Sequence, residues 1–108
     1  MGESTTSPWY GMNESEAKML LDKELLPYRN RPYAELAQQI GSLSAYQKTA
    51  PSGVEYNIEI EVVWDSPKAR RDIRVSGVVD DGHWPDSWLP LSVEFIVSQD
   101  GTIADESL

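Results

Sequence analysis

A strict alternation of apolar and polar side chains over positions 56–64 constrains this chain more than any other feature of its sequence. Even positions carry apolar side chains and odd positions are mostly acidic or polar. A period of two is typical of a β-strand with one buried face. The alternation returns on odd positions over 73–79 and again over 91–97. The sequence therefore predicts three amphipathic strands, and a weaker strand over 45–49 precedes them.

Turn residues separate these strands and favour antiparallel pairing. A hairpin turn of four residues is predicted around Pro51-Ser52-Gly53, and Asp65-Ser66-Pro67 and Asp100-Gly101 begin two others. Apolar residues stay on one face when Ile60 lies opposite Val75, a register that also places Glu61 opposite Arg74. The resulting ion pair favours this register by a few tenths of a kcal/mol, on the order of other exposed cross-strand pairs.

Two short helices are predicted ahead of the strands. Apolar residues recur at helical spacing over 14–26, where Asn13 is the expected N-cap, Glu16 its reciprocal acid and Pro27 the stop. A second helix begins at Pro32 and ends at Gly41, the expected left-handed residue after its last turn. The fold class that follows is a two-layer α+β domain, with both helices on one face of an antiparallel meander of about four strands.

Length and composition indicate one folded domain. The chain has 108 residues, 40% of them hydrophobic, and no cysteine, which removes disulfides and thiolate chemistry. The sequence predicts a flexible tail over residues 1–11 and a single domain over residues 12–108. The sequence shows no signal peptide and no membrane-spanning run, so we expect a cytoplasmic protein.

The charge is strongly asymmetric along the chain. The net charge is −9, and residues 51–108 contribute four basic and twelve acidic side chains. Such an acidic surface repels phosphate backbones, so nucleic acid is not an expected partner. Two explanations of the acidic excess stay open: a face that only contacts water, or a surface that binds a basic protein.

Apolar side chains on the polar faces of the strands raise the question of self-association. Val63, Val78 and Ile96 occupy positions where the alternation calls for polar residues. If the last two long strands place Val78 beside Ile96, an apolar stripe forms among carboxylates. That stripe, or an unpaired edge strand, would suit a homodimer or a partner contact.

Several segments resemble a family of small bacterial proteins of unknown function. The segments are YNIEIEVVWD at 56–65, DIRVSGVVDDG at 72–82, and the pairs Pro90-Leu91, Phe95-Ile96 and Asp100-Gly101. The resemblance extends over the C-terminal half and the helix predicted over 32–41. It implies a bacterial single-domain protein and no particular activity or ligand. His83 stands where that family has glycine, which argues against shared chemistry at this residue.

The loop over 80–90 is the strongest candidate for a ligand site. Its candidate residues are Asp81, His83, Trp84, Asp86 and Trp88. Imidazole and carboxylates could ligate a metal, but the spacing matches no regular metal motif. His83 could act as a base for Ser87, or the two tryptophans could stack on a sugar or a peptide. The structural alternative is a turn that folds a tryptophan over the end of the sheet.

Charged side chains on the strands form the second candidate surface. Glu59 and Glu61 lie on one strand face, where water gives no desolvation to raise a carboxyl pKa for acid–base catalysis. Lys68, Arg70 and Arg71 with Arg74 form a basic cluster that either contacts an anion or neutralises neighbouring carboxylates.

We therefore assign no catalytic residue, metal or cofactor. The sequence favours a non-catalytic protein-binding module, immunity-like, inhibitor-like or regulatory, with Glu59, Glu61, Val78 and Ile96 as its contact residues. The alternative is a ligand-binding or hydrolytic protein with its site in the 80–90 loop.

Overall fold

The chain is described by a computed structural model that covers residues 13–82 and 91–106. In chain order the elements are α1 (Glu14–Arg29), α2 (Tyr33–Gln38), β1 (Leu43–Thr49), β2 (Glu55–Trp64), β3 (Ile73–Asp80), β4 (Leu91–Val97) and β5 (Ile103–Asp105). The tail predicted over 1–11 and the loop residues 83–90 lie outside the described residues.

The five strands form one antiparallel sheet in the order β1-β2-β3-β4-β5, so each strand pairs with its neighbours in sequence. The helices pack on one face, with α1 lying mainly over β3 and β4. The predicted two-layer α+β class is confirmed. The strand β5 was not predicted, because three residues are too few to show a period of two.

Side chains from α1 and from the even positions of β2 meet in one core with the odd positions of β3 and β4. Leu21, Leu25 and Phe95 are fully buried in it. The helix approaches β3 closely at Gly77, where an added Cβ would lie 2.9 Å from Leu21 Cδ1 and 3.1 Å from Leu25 Cδ1. Glycine at this position therefore sets the separation of the two layers.

The predicted register between β2 and β3 is wrong by two residues. Ile60 lies opposite Gly77 and not opposite Val75, and Arg74 lies opposite Val63 and not opposite Glu61. A shift of two keeps the apolar residues on the correct face, so the alternation alone cannot detect it. The observed register brings Gly77 under α1 and extends the pairing to Trp64, which is half-buried against the core.

The first helix does not stop at Pro27 but continues to Arg29. Proline in a helix interior removes one backbone hydrogen bond and is unfavourable by about 3 kcal/mol. Tertiary contacts hold the last turn: Tyr28 packs against the core, and Arg29 stacks 4.3 Å from the centroid of the Phe95 ring. The Arg29 guanidinium also pairs with Asp105 at 2.7 Å. These contacts offset the effect of the proline.

The N-cap of α1 is confirmed, but its reciprocal acid is not. Asn13 Oδ1 accepts a hydrogen bond from the Glu16 backbone N–H at 3.1 Å. The Glu16 carboxylate instead accepts hydrogen bonds from the hydroxyls of Ser52 at 2.7 Å and Tyr56 at 2.9 Å. Glu16 thus ties the start of α1 to the β1–β2 hairpin rather than closing a capping box.

The second helix differs from its prediction only at its ends. Pro32 is the N-cap and not the first helical residue. Gly41 has the expected positive φ of 90°, but it lies two residues beyond the C-cap Gln39. Its backbone N–H donates to the Val62 carbonyl at 2.8 Å, so this glycine turns the chain directly into the sheet.

Candidate functional site

We call the sheet face that the helices leave uncovered the open face. It carries the side chains at odd positions of β1 and β2 and at even positions of β3, β4 and β5, because side chains alternate between the two faces of a sheet. Its carboxylates are Glu55, Glu59, Glu61, Asp80 and Glu94, with Glu106 just beyond β5. Arg74 is the one basic side chain that the described strands place on this face.

Arg74 is the shared partner of the carboxylates around it. The guanidinium pairs with Asp65 at 2.6 Å and with Glu94, and Glu106 lies 3.8 Å away. The hydrogen bond to Asp65, followed by that to Glu94, raises the pKa of Arg74 above its ordinary value. Arg74 thus joins the ends of β2 and β5 to β3 and β4, and it belongs to no free basic cluster. Arg70 and Arg71 are exposed in the β2–β3 connection.

Three carboxylates on β2 are not neutralised. Glu55, Glu59 and Glu61 are exposed, and none of them forms an ion pair or a hydrogen bond within the part of the chain that the structure describes. Same-face residues on a strand are about 6.8 Å apart, so these three side chains lie in one line about 20 Å long. Glu59 and Glu61, predicted as contact residues, therefore belong to an acidic row that also includes Glu55, with Asn57 between Glu55 and Glu59.

Val78 and Ile96 lie on the open face but not beside each other. Val78 is opposite Ser92, and Ile96 is opposite Arg74. Four residues of strand, about 13 Å, separate their positions along the sheet. The apolar stripe considered from the sequence is therefore not formed, because the register places each side chain beside a polar one.

A ladder of polar side chains crosses the open face at the end nearest the 80–90 loop. Gln47 Nε2 donates to Asn57 Oδ1 at 3.0 Å, and Asn57 Nδ2 donates to Asp80 Oδ1 at 3.2 Å. Asp80 Oδ1 also accepts the backbone N–H of Gly82 at 2.8 Å. A concavity of about 560 Å³ surrounds this ladder and extends to Glu59. Nothing in the alternation pattern signals this arrangement, since it depends on the register of three strands.

Only the first residues of the predicted loop site are described. Asp81 is half-buried, and its negative charge acts on Tyr56. Burial, the hydrogen bond to Glu16 and then the charges of Glu16 and Asp81 raise the pKa of Tyr56 above its ordinary value. His83, Trp84, Asp86 and Trp88 lie outside the described residues, so the loop hypothesis remains a prediction.

The strand β1 leaves one edge of the sheet unpaired among the described residues. Two backbone hydrogen bonds show which residues before β2 bond to it. The Val62 N–H donates to the Ser42 carbonyl at 3.2 Å, and the Ala50 N–H donates to the Val54 carbonyl at 2.8 Å. By the alternation of an antiparallel ladder, the even residues of β1 bond to β2 and the odd ones point outward. The outward backbone groups are therefore those of Leu43, Ala45, Gln47 and Thr49.

A second concavity of about 660 Å³ lies between α1 and β1 on the opposite side of the sheet. Met19, Ala50 and Pro51 provide much of its apolar lining, and Met19 is 72% exposed. Glu24 closes one end, where it accepts the Tyr46 hydroxyl at 2.7 Å and lies 3.8 Å from Lys48 Nζ. Sequence patterning missed this groove because it depends on the offset of the helix from the sheet edge.

The described residues form neither a metal-binding cluster nor a membrane-spanning helix. No three His, Asp or Glu side chains in 13–82 and 91–106 lie close enough together to hold a metal ion. Over the same residues, no helix has the length and apolar character needed to cross a membrane.

Comparisons with known proteins give no family or relative. No protein-family model, curated protein or solved structure matches the chain.

Proposed function

We propose that this chain is a small, non-catalytic bacterial binding protein of the cytoplasm, and that it recognises a basic region of another protein through the open face. The observation that supports this proposal is the unpaired acidic row of Glu55, Glu59 and Glu61. Carboxylates that a chain does not neutralise itself are available to cations from outside. An immunity or inhibitor protein that neutralises a basic toxin is one form of this function, and a regulatory protein is another.

The distribution of charge supports a basic partner over a neutral one. The net charge of −9 attracts a cationic surface over distances of about a Debye length, about 8 Å at physiological salt. The acidic row also lies in the interior of a sheet face that the described residues leave uncovered. Because paired strands hold the backbone of the row in place, binding of a partner orders only side chains there.

The test uses three forms of the protein on separate columns. One column carries the wild type, one carries Glu59→Gln with Glu61→Gln, and one carries Glu14→Gln with Glu35→Gln. The two double variants have the same net charge, but the control pair removes exposed carboxylates from the first turns of α1 and α2. Lysate of the source cell is loaded at low salt and eluted with a salt gradient.

The proposal predicts that the wild-type and control columns retain the same basic protein. The Glu59→Gln, Glu61→Gln column should retain about a tenth of it or less, since we expect the loss of two direct charge pairs to weaken binding by about 1.4 kcal/mol or more. Equal retention on all three columns would contradict the proposal, as would a lysate from which no column retains a basic protein.

A second candidate function rests on the polar concavity around Asn57 and Asp80. Its volume of about 560 Å³ is sufficient for a small polar ligand, and it adjoins the predicted 80–90 loop. NMR titration with monosaccharides, short peptides and zinc tests this candidate. A ligand in the concavity would shift the side-chain amide signals of Gln47 and Asn57, and zinc at the loop would shift the His83 imidazole signals. Unchanged signals in every titration would exclude the candidate.

A further inference from the structure

The free edge of β1 differs from the other edge of the same sheet. β1 has seven residues, whereas β5 has three. A short edge strand is one of the ways by which proteins avoid pairing with other chains, and proline, bulges and charged side chains are others. β1 contains no proline, its ladder with β2 is continuous, and its single charge, Lys48, points to the helix side and lies near Glu24. Among the residues that the structure describes, nothing pairs with this edge or blocks a further strand.

The acidic row lies one strand in from that edge. Across the β1–β2 ladder, Thr49 is opposite Glu55, Ala45 is opposite Glu59 and Leu43 is opposite Glu61. A strand added to β1 would present an open-face side chain about every 6.8 Å, which is the spacing of Glu59 and Glu61. Twice that repeat, about 13.6 Å, is the spacing of Glu55 and Glu59, which lie on either side of Asn57. The short side chains of Ala45 and Thr49 leave room for lysine or arginine side chains to extend over β1 to Glu59 and Glu55.

We infer that the chain binds an extended basic segment of its partner by β-strand addition to β1. Backbone groups of Leu43, Ala45, Gln47 and Thr49 pair with the segment, and alternate lysine or arginine side chains of the segment contact Glu55, Glu59 and Glu61. The inference rests on the proposed function, and it adds the conformation of the bound segment and the spacing of its charges. Main-chain pairing supplies affinity, and the acidic row supplies specificity.

A second copy of this chain fits the edge less well. Stable interfaces bury about 800 Å² on each partner, much more than one pair of seven-residue strands provides. Two copies would also bring two net charges of −9 together. A basic segment has the opposite charge and needs only the one strand. Charge complementarity therefore favours the basic segment as the occupant.

The experiment uses a synthetic peptide, acetylated and amidated, in which lysine alternates with threonine. Two further copies carry N-methyl groups, one on every lysine and the other on every threonine. Only alternate amides of a strand point to its neighbour, so one methylated copy should lose binding and the other should keep it. All three peptides have the same charge. If both methylated copies bind like the parent, or both fail to bind, the inference is wrong.

Amide hydrogen exchange of the full chain reports the site of pairing. With the parent peptide at about ten times its Kd, exchange at the Ala45, Gln47 and Thr49 amides should slow about tenfold. The amides of Tyr46 and Lys48, which already pair with β2, should change little. Slow exchange of the outward amides in the free protein would show that another occupant covers the edge, either a segment of this chain or, if exchange depends on concentration, a second copy. Either result would overturn the inference.

A proline variant of β1 gives an independent test. Ala45→Pro removes an outward N–H and no bond to β2, so proline is tolerated there as on other edge strands. Ala45→Ser is the matched control that retains the N–H. Ala45→Pro should weaken peptide binding at least tenfold and Ala45→Ser at most twofold, with both unfolding as cooperatively as the wild type. Equal binding by the two variants would contradict strand addition.

The two proposals fail in different ways. If Glu59→Gln with Glu61→Gln weakens peptide binding and Ala45→Pro does not, basic recognition stands and strand addition is wrong. If the parent peptide binds and Ala45→Pro alone weakens it, strand addition stands and the acidic row is not the recognition surface. If no peptide binds, strand addition is wrong, and the column test with lysate still decides the proposed function.

Discussion

The two faces of the sheet treat their charged groups in opposite ways. Under the helices, Glu16 accepts two hydroxyl hydrogen bonds, Glu24 accepts the Tyr46 hydroxyl, and Arg29 pairs with Asp105. On the open face, Arg74 pairs with the carboxylates near it, and the acidic row of Glu55, Glu59 and Glu61 has no partner within 13–82 and 91–106. These charged groups of the covered face have partners within the chain, whereas the acidic row has none among the residues that the structure describes.

We expect this difference to separate the residues that stabilise the fold from those that bind a partner. Apolar burial and satisfied polar groups on the covered face account for the fold. The acidic row adds nothing to it, because like charges spaced along one strand repel one another. The comparison makes a general prediction: substitutions on the covered face change stability, and substitutions on the acidic row change binding.

The largest expected effect compares two isoleucines on opposite faces. Ile60→Ala removes a side chain that is 1% exposed and should lower the free energy of unfolding by about 2–5 kcal/mol, through lost burial and the cavity left behind. Ile96→Ala, at a half-buried open-face position, should lower it by less than about 1 kcal/mol. Urea unfolding of both variants measures the difference. Equal losses of unfolding free energy in the two variants would contradict the proposed difference between the two faces.

The next effect tests the close approach of α1 to β3. Gly77→Ala places a methyl group against Leu21 and Leu25, and we expect a loss of about 1–3 kcal/mol from overpacking. Ser76→Ala, one residue away on the open face, should change stability by at most about 0.5 kcal/mol. Thermal unfolding checks the pair. A Gly77→Ala variant as stable as the wild type would show that the helix or its leucine side chains move away from β3 without loss of stability.

A smaller effect concerns the pH dependence of the covered face. The hydrogen bond from Ser52 is the main cause of a lowered pKa for Glu16, and Tyr56 also contributes. A lowered folded pKa gives stability that is present above the ordinary value of 4.5 and is lost as the pH falls through the folded pKa. Glu16→Gln should therefore lower stability by about 1 kcal/mol at neutral pH.

The sign of this effect is checked by unfolding at several pH values. The difference between the wild type and Glu16→Gln should shrink as the pH falls below 4.5, because the wild-type carboxyl is then protonated. Glu59→Gln is the matched control from the open face, where no described residue donates a hydrogen bond to the carboxylate, and it should change stability by at most about 0.5 kcal/mol at neutral pH. A difference for Glu16→Gln that does not vary with pH would contradict the account.

The smallest effect on stability is expected for the acidic row itself. Glu59→Gln with Glu61→Gln should change the free energy of unfolding by at most about 0.5 kcal/mol, and at low salt the change should be stabilising because repulsion is relieved. Unfolding at low and high salt measures this. A loss of more than about 1 kcal/mol would mean that the row has a structural role that its lack of contacts does not reveal.

The sequence predicted the parts of the fold that depend on local pattern. The alternation over 56–64 identified the buried face of β2, and Asn13 and Gly41 marked the start of one helix and the turn after the other. The β2–β3 register was beyond local pattern, because shifts of two preserve the alternation and only the contact of Gly77 with Leu21 discriminates between them. For the same reason Arg74 was paired with the wrong carboxylate.

The candidate site was predictable in composition but not in arrangement. Glu59 and Glu61 were recognised as a strand-face pair from their spacing alone. The unpaired outer edge of β1 and the ladder of Gln47, Asn57 and Asp80 depend on strand order and on the register of β1 with β2, which are tertiary properties. Tertiary contacts also explain why α1 passes through Pro27, against the local preference of that residue.

The most direct test of the central claim is the salt dependence of affinity for the basic protein eluted from the wild-type column. Its Kd for the wild type, for Glu59→Gln with Glu61→Gln and for the Glu14→Gln, Glu35→Gln control is measured by calorimetry at low and high salt. The account predicts at least about tenfold weaker binding for the Glu59, Glu61 variant at low salt, a smaller difference at high salt, and a control close to the wild type. Identical affinities and identical salt dependence for all three proteins would contradict it.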